Sequence, residues 1–280
     1  MRPETLAILF GLSSALLFGT ADFIGGFASK KQNSFTVLLI DYMAGLPPLF
    51  ILGIIWNTPL PAWESLLAGG MAGVFAVSGL GIFYRTLAVS HMGVVAPVTA
   101  LVSAGLPVIF GAVIEGLPTL FQITGFILGF IAIWFLSSPK NVAGISLRGI
   151  KAPILSGICF GLYFIIMDYA VDQSIIWPLV SSRISGLALL LVGLLTTRKI
   201  PIPQIRKTPL PILAGLFDAT ASLLFAFAVT HGRLDIASVL TSMYPAATVL
   251  LAWILLKEKL RPPQLFGLGG ALVALALITV

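Results

Sequence analysis

Charged residues are scarce in this sequence. They make up 9% of its 280 residues, whereas soluble domains of this size carry about 25%. Hydrophobic residues make up 58%, and the mean hydropathy is +1.08. A chain so poor in charge cannot cover its surface against water, so lipid is expected to be the solvent for most of it. We therefore predict a polytopic membrane protein.

Cysteine, histidine and the common catalytic motifs are scarce or lacking as well. The single cysteine, Cys159, excludes an internal disulfide framework, and no pair of histidines stands at metal-ligand spacing. The sequence has no HExxH, no GxSxG and no phosphate-binding P-loop. We therefore expect no enzyme, no metal, no cofactor and no ATP-driven chemistry. The net charge of +6 is not gathered into a patch with exposed aromatic residues, so nucleic acid is not an expected partner.

What the sequence does contain is a series of long hydrophobic runs. Runs of about 20 apolar residues are long enough to cross a bilayer as helices, and these runs are continuous rather than alternating in polarity. The predicted class is therefore all-α, with ten transmembrane helices. They fall at about 6–28, 35–55, 66–89, 93–114, 119–137, 152–171, 175–197, 209–230, 235–256 and 263–280.

Two halves of the chain carry related motifs. LAVSH at 87–91 matches FAVTH at 227–231, and VIEGLPTLFQITGFILG resembles LKEKLRPPQLFGLGG, which pairs Glu115 with Glu258. The longest polar connection divides the helices five and five. We predict two five-helix repeats, residues 5–138 and 150–280. An odd number of helices in each repeat places the two halves in opposite orientations.

Basic residues show a strong bias between the two predicted sides of the membrane. Of the 16 Lys and Arg residues, Arg85 and Arg183 fall within spans, and only Arg2 and Arg233 fall on one side. The other side holds the remaining twelve, which places those loops in the cytoplasm and both termini outside.

Several ionisable residues fall inside predicted spans. A charge at the bilayer centre costs roughly 2.5–3.5 kcal/mol, so such residues normally face a bundle interior or a wet cavity. The alternative is that they reach the interface from helix ends or form buried structural ion pairs, and Arg85 and Asp168 lie nearest helix ends. The candidates for a central site are Asp22, Asp41, Asp168, Arg183 and Asp218.

Asp22 and Asp168 occupy matching places in the two halves. Each lies eleven residues after a glycine, Gly11 or Gly157, and thus on nearly the same helix face as that glycine. We predict that both point towards a central pathway. A buried carboxylate can exchange protons near neutral pH, which makes protons a hypothetical coupling partner. Arg183 could then serve as a counter-charge or hold a substrate carboxylate.

Three tyrosines could line the same pocket, because each offers a hydroxyl on an apolar body. They are Tyr84, Tyr163 and Tyr244, and packing between helices is the alternative role. Pro245 lies inside the ninth predicted span. Proline can break a membrane helix where the freed backbone groups line a cavity or pack on protein.

The segment SMYPAATVLLAWILLKEKLRPPQLFGLGG, in a chain of this organisation, resembles the EamA family of the drug/metabolite transporter superfamily. The resemblance rests on Pro245, on Glu258 thirteen residues later, and on Gln264, Gly267 and Gly270. The first half matches less well, because Val102 stands where the second half has its proline. The resemblance implies a secondary carrier of small metabolites, often an exporter of amino acids or related compounds, with a central cavity that opens to either side in turn.

The sequence thus predicts a secondary transporter in the cell membrane, with export of amino acids or related metabolites as the leading function. A carrier of sugars or nucleotide sugars is the alternative. An intramembrane enzyme and a non-transporting scaffold are the competing classes, although the first needs a clustered nucleophile and base that the sequence does not show. Expected partners are a small-molecule substrate and the lipid bilayer. The acids and tyrosines favour a substrate with an amine or another cationic group.

Overall fold

The structure is a computed structural model that describes residues 2–89, 92–136, 147–197, 209–247, 251 and 262–278. Within these ranges the chain is helical apart from short turns, and no strand occurs. The predicted all-α class is thereby confirmed. Glu258 and most of the second half of the ninth predicted span lie outside the described residues.

The described helices follow the order of the predicted hydrophobic runs. They are α1 Pro3–Lys31, α2 Ser34–Ile55, α3 Trp63–Val89, α4 Met92–Ile114, α5 Leu120–Leu136, α6 Leu147–Ala170, α7 Ile176–Thr197, α8 Leu210–His231, α9 Leu234–Thr241 and α10 Pro262–Ile278.

Six of these helices are long and apolar enough to cross a membrane, namely α1, α2, α3, α6, α7 and α8. Two more contain shorter apolar segments, Val98–Ile114 in α4 and Leu120–Phe135 in α5. Large hydrophobic side chains are exposed along the outside of the bundle, among them Ile55, Val113 and Leu195. An apolar exterior of this kind suits lipid surroundings.

Local sequence signals explain several helix ends. The side chain of Asn33 accepts a hydrogen bond from the Phe35 N–H at 2.9 Å and so caps α2. Before α5, the Thr119 N–H donates to Gln122 Oε1 at 2.9 Å, and the Gln122 N–H donates to Thr119 Oγ1 at 3.2 Å. These two bonds are a reciprocal capping pair. The glutamine of the repeated motif therefore has a structural role at a helix start.

Helices from the first half of the chain pack against helices from the second half. Helix α1 lies against α8 and α3 lies against α6, while α5 lies against α10. A buried serine joins each of the first two pairs. Ser14 Oγ donates to the Ala221 carbonyl at 2.8 Å, and Ser156 Oγ donates to the Gly79 carbonyl at 2.8 Å.

Helix α9 is short because the chain turns at Ser242 and Met243 before residues 244–247 become helical again. The Ser242 N–H still donates to the Ser238 carbonyl at 2.9 Å, but the Met243 N–H donates to Leu240, only three residues back. Pro245 has no N–H with which to continue the helical ladder. The helix break expected from Pro245 lies within the described residues. Tyr244 comes directly after the turn at Ser242 and Met243.

Candidate functional site

A cavity lies inside the bundle between helices of both halves of the chain. It encloses about 600 Å³ of space not filled by atoms, counting the solvent at its mouth. Small-molecule sites combine apolar walls with a few polar groups. Its walls are aromatic, aliphatic and polar side chains: Phe18, Asp22, Tyr42, Ala76, Leu80, Phe160, Tyr163, Phe164, Leu179, Ser182, Arg183, Asp218, Ser222 and Tyr244.

Arg183 on α7 is the basic residue of this cavity, and two carboxylates from other helices surround it. Its Nη2 makes a close ion pair with Asp218 Oδ2 on α8, and its Nη1 lies 3.5 Å from Asp41 Oδ1 on α2. The Arg183 and Asp41 side chains are 4% and 0% exposed, and Asp218 is 14% exposed. Buried charges are tolerated when they are paired in this way. The group thus joins α2, α7 and α8.

Two further side chains complete the surroundings of Arg183, although sequence analysis did not select them as site residues. Ser222 Oγ lies 3.4 Å from Arg183 Nη2 and donates to the Asp218 carbonyl at 2.9 Å. The Arg183 guanidinium lies over the ring of Tyr42, 4.8 Å from its centroid. Ser222 could have been found from its spacing of four residues after Asp218, which places both on one helix face.

Glycines bring the backbones of α2 and α8 together beside this charged group. A Cβ added at Gly45 would lie 2.9 Å from the Gly215 carbonyl oxygen, and one added at Gly215 would lie 2.7 Å from the Asp41 Cα. Small residues allow such close approach between membrane helices. Because Asp41 stands at this crossing, the contact between α2 and α8 sets the position of its carboxylate.

Asp22 on α1 faces the cavity without the partners that the other acids have. Its side chain is 9% exposed, and Phe18, one turn earlier on the same face, also lines the cavity. Among the described residues, its carboxylate has neither a hydrogen bond nor an ion pair. The charged group that acts on it is Asp218, which repels its negative form.

The predicted tyrosines fall into two groups. Tyr163 and Tyr244 line the cavity, and both are buried. Tyr84 does not line it and packs against α1, where a Cβ at Gly25 would collide with its ring and hydroxyl. The structure therefore brings Tyr163 and Tyr244 to the cavity and places Tyr84 between helices.

Asp168 lies apart from the cavity. It is half-buried near the end of α6, and its electrostatic neighbours are Glu115 and Asp172. Asp41 does not line the cavity directly either, and reaches it through Arg183. Arg85 is exposed four residues before the end of α3. Of the eight predicted site residues, five thus line the cavity: Asp22, Tyr163, Arg183, Asp218 and Tyr244.

A second charged cluster joins the turn between α4 and α5 to the turn between α8 and α9. Arg233 Nη2 donates to the Gly116 carbonyl at 2.9 Å and to Asp235 Oδ2 at 2.8 Å. Glu115 Oε1 accepts from the Leu234 N–H at 3.2 Å. Gly116 has a φ of +94°, a conformation that glycine adopts without strain. We call this group, Glu115, Gly116, Arg233, Leu234 and Asp235, the Arg233 cluster.

Partial burial raises the pKa of the Glu115 carboxyl in the Arg233 cluster. The nearby charge of Asp235 raises that pKa further, whereas the Leu234 N–H and the Arg233 guanidinium act to lower it. Burial thus dominates over the favourable contacts. Glu115 therefore takes up a proton at a higher pH than an exposed glutamate does.

Comparison with protein-family models gives a match in the second half of the chain. Residues 147–280 match the model of the EamA-like transporter family. This half of the chain is similar to the EamA-like transporters. That family and the apolar helices together indicate a multi-pass membrane protein that transports small molecules. The resemblance predicted from the sequence is thereby confirmed.

Two relatives of this EamA-like chain add information on its length and fold. The uncharacterized protein MJ1333.1 of Methanocaldococcus jannaschii is 25% identical over 127 residues, which are 45% of this chain and 93% of that protein. The relative is thus about half as long. A solved crystal structure of a protein, 15% identical, superposes with a TM-score of 0.75 over 99% of this chain and 96% of that one. At that identity the likeness shows a shared fold.

Proposed function

We propose that this EamA-like chain is a secondary transporter of a small metabolite in the cell membrane, and that it works by alternating access around the central cavity. The observation that carries the proposal is the buried cavity itself, which is lined from both halves and holds Arg183, Asp218 and Asp22. Ionisable groups inside membrane helices commonly mark substrate or ion pathways. A purely structural bundle would have no need of a carboxylate such as Asp22.

We further propose that the chain has ten transmembrane helices in two inverted five-helix repeats, residues 5–138 and 150–280. The pattern of helix contacts supports this arrangement. The first helix of each half packs on the third helix of the other, as α1 on α8 and α6 on α3, and the fifth helices pack on each other. Inverted-repeat transporters place their substrate sites at such an interface.

Contacts between turns support the predicted path of the chain through the membrane. The α2–α3, α4–α5, α6–α7 and α8–α9 turns are all predicted to lie outside. The Ala62 N–H donates to Gln173 Oε1 at 3.0 Å, which joins the first of these turns to the third. Arg233 donates to the Gly116 carbonyl and so joins the second turn to the fourth. Turns that contact each other must lie on one side.

For the substrate, we propose an amino acid or a related metabolite that is exported from the cell. The cavity offers groups of both charges, and Tyr163, Tyr244, Ser182 and Ser222 add hydroxyls. A sugar or nucleotide sugar is the second candidate, because the same hydroxyls and carboxylates can hydrogen-bond to sugar hydroxyls. Asp22 would couple transport to protons by binding one in a single state of the cycle.

The test is counterflow in proteoliposomes made with the full chain. Vesicles loaded with an unlabelled compound should accumulate the same labelled compound if the protein carries it, and amino acids, amines and sugars are screened in turn. A pH gradient should accelerate this accumulation, and Asp22→Asn should remove the acceleration. If no compound accumulates with protein that is folded and correctly inserted, the transport proposal fails.

A further inference from the structure

The acidic residues at the cavity differ in whether a positive charge lies beside them. Arg183 contributes one positive charge, and it is shared by the buried Asp41 and the partly buried Asp218, which lie on different helices. When all four groups are ionised, Asp22 is therefore the carboxylate for which the described part of the chain supplies no positive charge. The missing positive charge is therefore the one that would neutralise Asp22 on α1.

Ionisation of Asp22 costs free energy unless a cation binds beside it. Asp22 is nine-tenths buried, and the like charge of Asp218 disfavours its ionised form further. By contrast, an anionic group on a substrate would have to compete for Arg183 with two carboxylates already bound to it. The electrostatics therefore favour a ligand with a positive charge and give no matching site for a negative one.

The walls beside Asp22 are aromatic. Phe18 precedes it by one turn, and Tyr163, Phe164, Phe160 and Tyr244 lie around the same space. Rings attract organic ammonium groups through their faces, and they also accommodate an apolar body. A bare metal ion would instead require several oxygen ligands, and among the described residues no group of three acidic, histidine or cysteine side chains could hold one.

We propose that Asp22 binds the protonated amine of the transported substrate, and that the substrate is a small cationic amine with an apolar body and no required carboxylate. The inference rests on the proposed transport function and narrows its substrate class. Asp22 receives the ammonium group, the aromatic side chains surround the body, and Arg183 remains paired with Asp41 and Asp218. Amino acids then enter the site by their amine alone.

The experiment measures binding separately from transport. Phenylethylamine, phenylalanine and phenylacetate are titrated calorimetrically into the full-length protein in detergent, in sodium and in potassium buffer. These probes share one ring and differ in the amine and the carboxylate. The variants are Asp22→Asn, Asp22→Glu and, as the matched control, Asp172→Asn, which removes an exposed acid after α6.

We expect phenylethylamine to bind at least as tightly as phenylalanine, and phenylacetate not to bind. Loss of a charge-assisted hydrogen bond should weaken phenylethylamine binding about 10–100-fold in Asp22→Asn. Asp172→Asn should leave it unchanged. Asp22→Glu keeps the charge and should retain measurable binding, so it tests the proposal even if Asp22→Asn does not fold.

Three results would overturn the amine site: phenylacetate binding that matches or exceeds the amine, wild-type affinity in folded Asp22→Asn, or sodium binding that depends on Asp22 while the amine has no effect. Counterflow separates this inference from the transport proposal. If the amine binds in a way that depends on Asp22 but no compound shows counterflow, the transport proposal is refuted and the amine site stands. If glucose shows counterflow but the amine does not bind, the amine site is refuted and the transport proposal stands.

Discussion

The contact between α2 and α8 offers a direct test of how the charged group is held. A Cβ built at Gly215 would lie 2.7 Å from both the Asp41 Cα and the Asp41 carbonyl carbon, and closer still to its oxygen. Carbon atoms in ordinary contact are about 3.5–4.0 Å apart. Gly215→Ala therefore requires α2 and α8 to separate by roughly 1 Å.

Such a separation has two opposing effects on stability. Overpacking of a tight contact costs about 1–3 kcal/mol. The change from glycine to alanine within a helix returns up to about 1 kcal/mol. In addition, the 3.5 Å distance between Arg183 Nη1 and Asp41 Oδ1 would lengthen and weaken their ion pair. The unfavourable effects are larger, so we expect Gly215→Ala to be less stable than the parent protein.

Gly105→Ala is the matched control. Gly105 lies inside α4 and is half-buried, and a Cβ added there would meet no atom of the described residues within 4 Å. This variant receives only the helix-propensity gain of up to about 1 kcal/mol. For the measurement, each protein is heated in detergent and the height of its monodisperse peak is then recorded. The melting temperature is the temperature at which half of that peak is lost. If Gly215→Ala and Gly105→Ala melt together, the reasoning about the α2–α8 contact is wrong.

Three further variants test separate contacts. Arg183→Met leaves the Asp41 and Asp218 carboxylates buried without a cation, so we expect a loss of about 3–5 kcal/mol, seen as a lower melting temperature. Ser156→Ala removes a buried bond between α3 and α6 and should cost about 0.5–1.5 kcal/mol by the same assay. Burial raises the pKa of Glu115 in the folded state, so its contribution to stability falls as pH rises through the interval between the unfolded and folded pKa values. Glu115→Gln should therefore reduce the loss in melting temperature between about pH 5 and about pH 8.

Each of these expectations has a contrary result. An Arg183→Met protein as stable as the parent would mean that the two carboxylates are not ionised together. Ser156→Ala without effect would mean that the Gly79 carbonyl gains as much from another donor. A Glu115→Gln protein with an unchanged pH dependence would assign that dependence to other acids. The control for the serine variant is Thr124→Ala, since the Thr124 hydroxyl bonds within α5 on an exposed face.

Sequence reasoning located most of the helices because hydrophobic length is a strong local signal. It also located Arg183 and Asp218, because charges inside apolar runs stand out without any knowledge of packing. It did not reveal that the two residues form a pair, since they lie 35 positions apart on two different helices. Contacts of that kind depend on how α7 and α8 pack, which the periodicity of a single helix does not specify.

The matched positions of Asp22 and Asp168 show where repeat reasoning has its limit. Both acids follow a glycine by eleven residues, yet Asp22 lines the cavity and Asp168 lies near the end of α6. The helices differ in how much chain follows the acid, because α1 continues to Lys31 and α6 ends at Ala170. Equal spacing within a helix therefore did not mean equal depth in the bundle.

The two charged residues of the Arg233 cluster that belong to the second half, Arg233 and Asp235, have uncharged counterparts in the sequence of the first half. The LAVSH and FAVTH alignment places Gly93 and Val95 where the second half has Arg233 and Asp235. Two unaltered copies of one repeat would give the outward-closed and inward-closed forms equal energies. In the proposed carrier, a cluster that fastens the turns predicted to lie outside lowers the energy of the outward-closed form, so the resting protein would present its cavity to the cytoplasm. A ligand added outside would then show an apparent affinity reduced by the small fraction of molecules that are open to it.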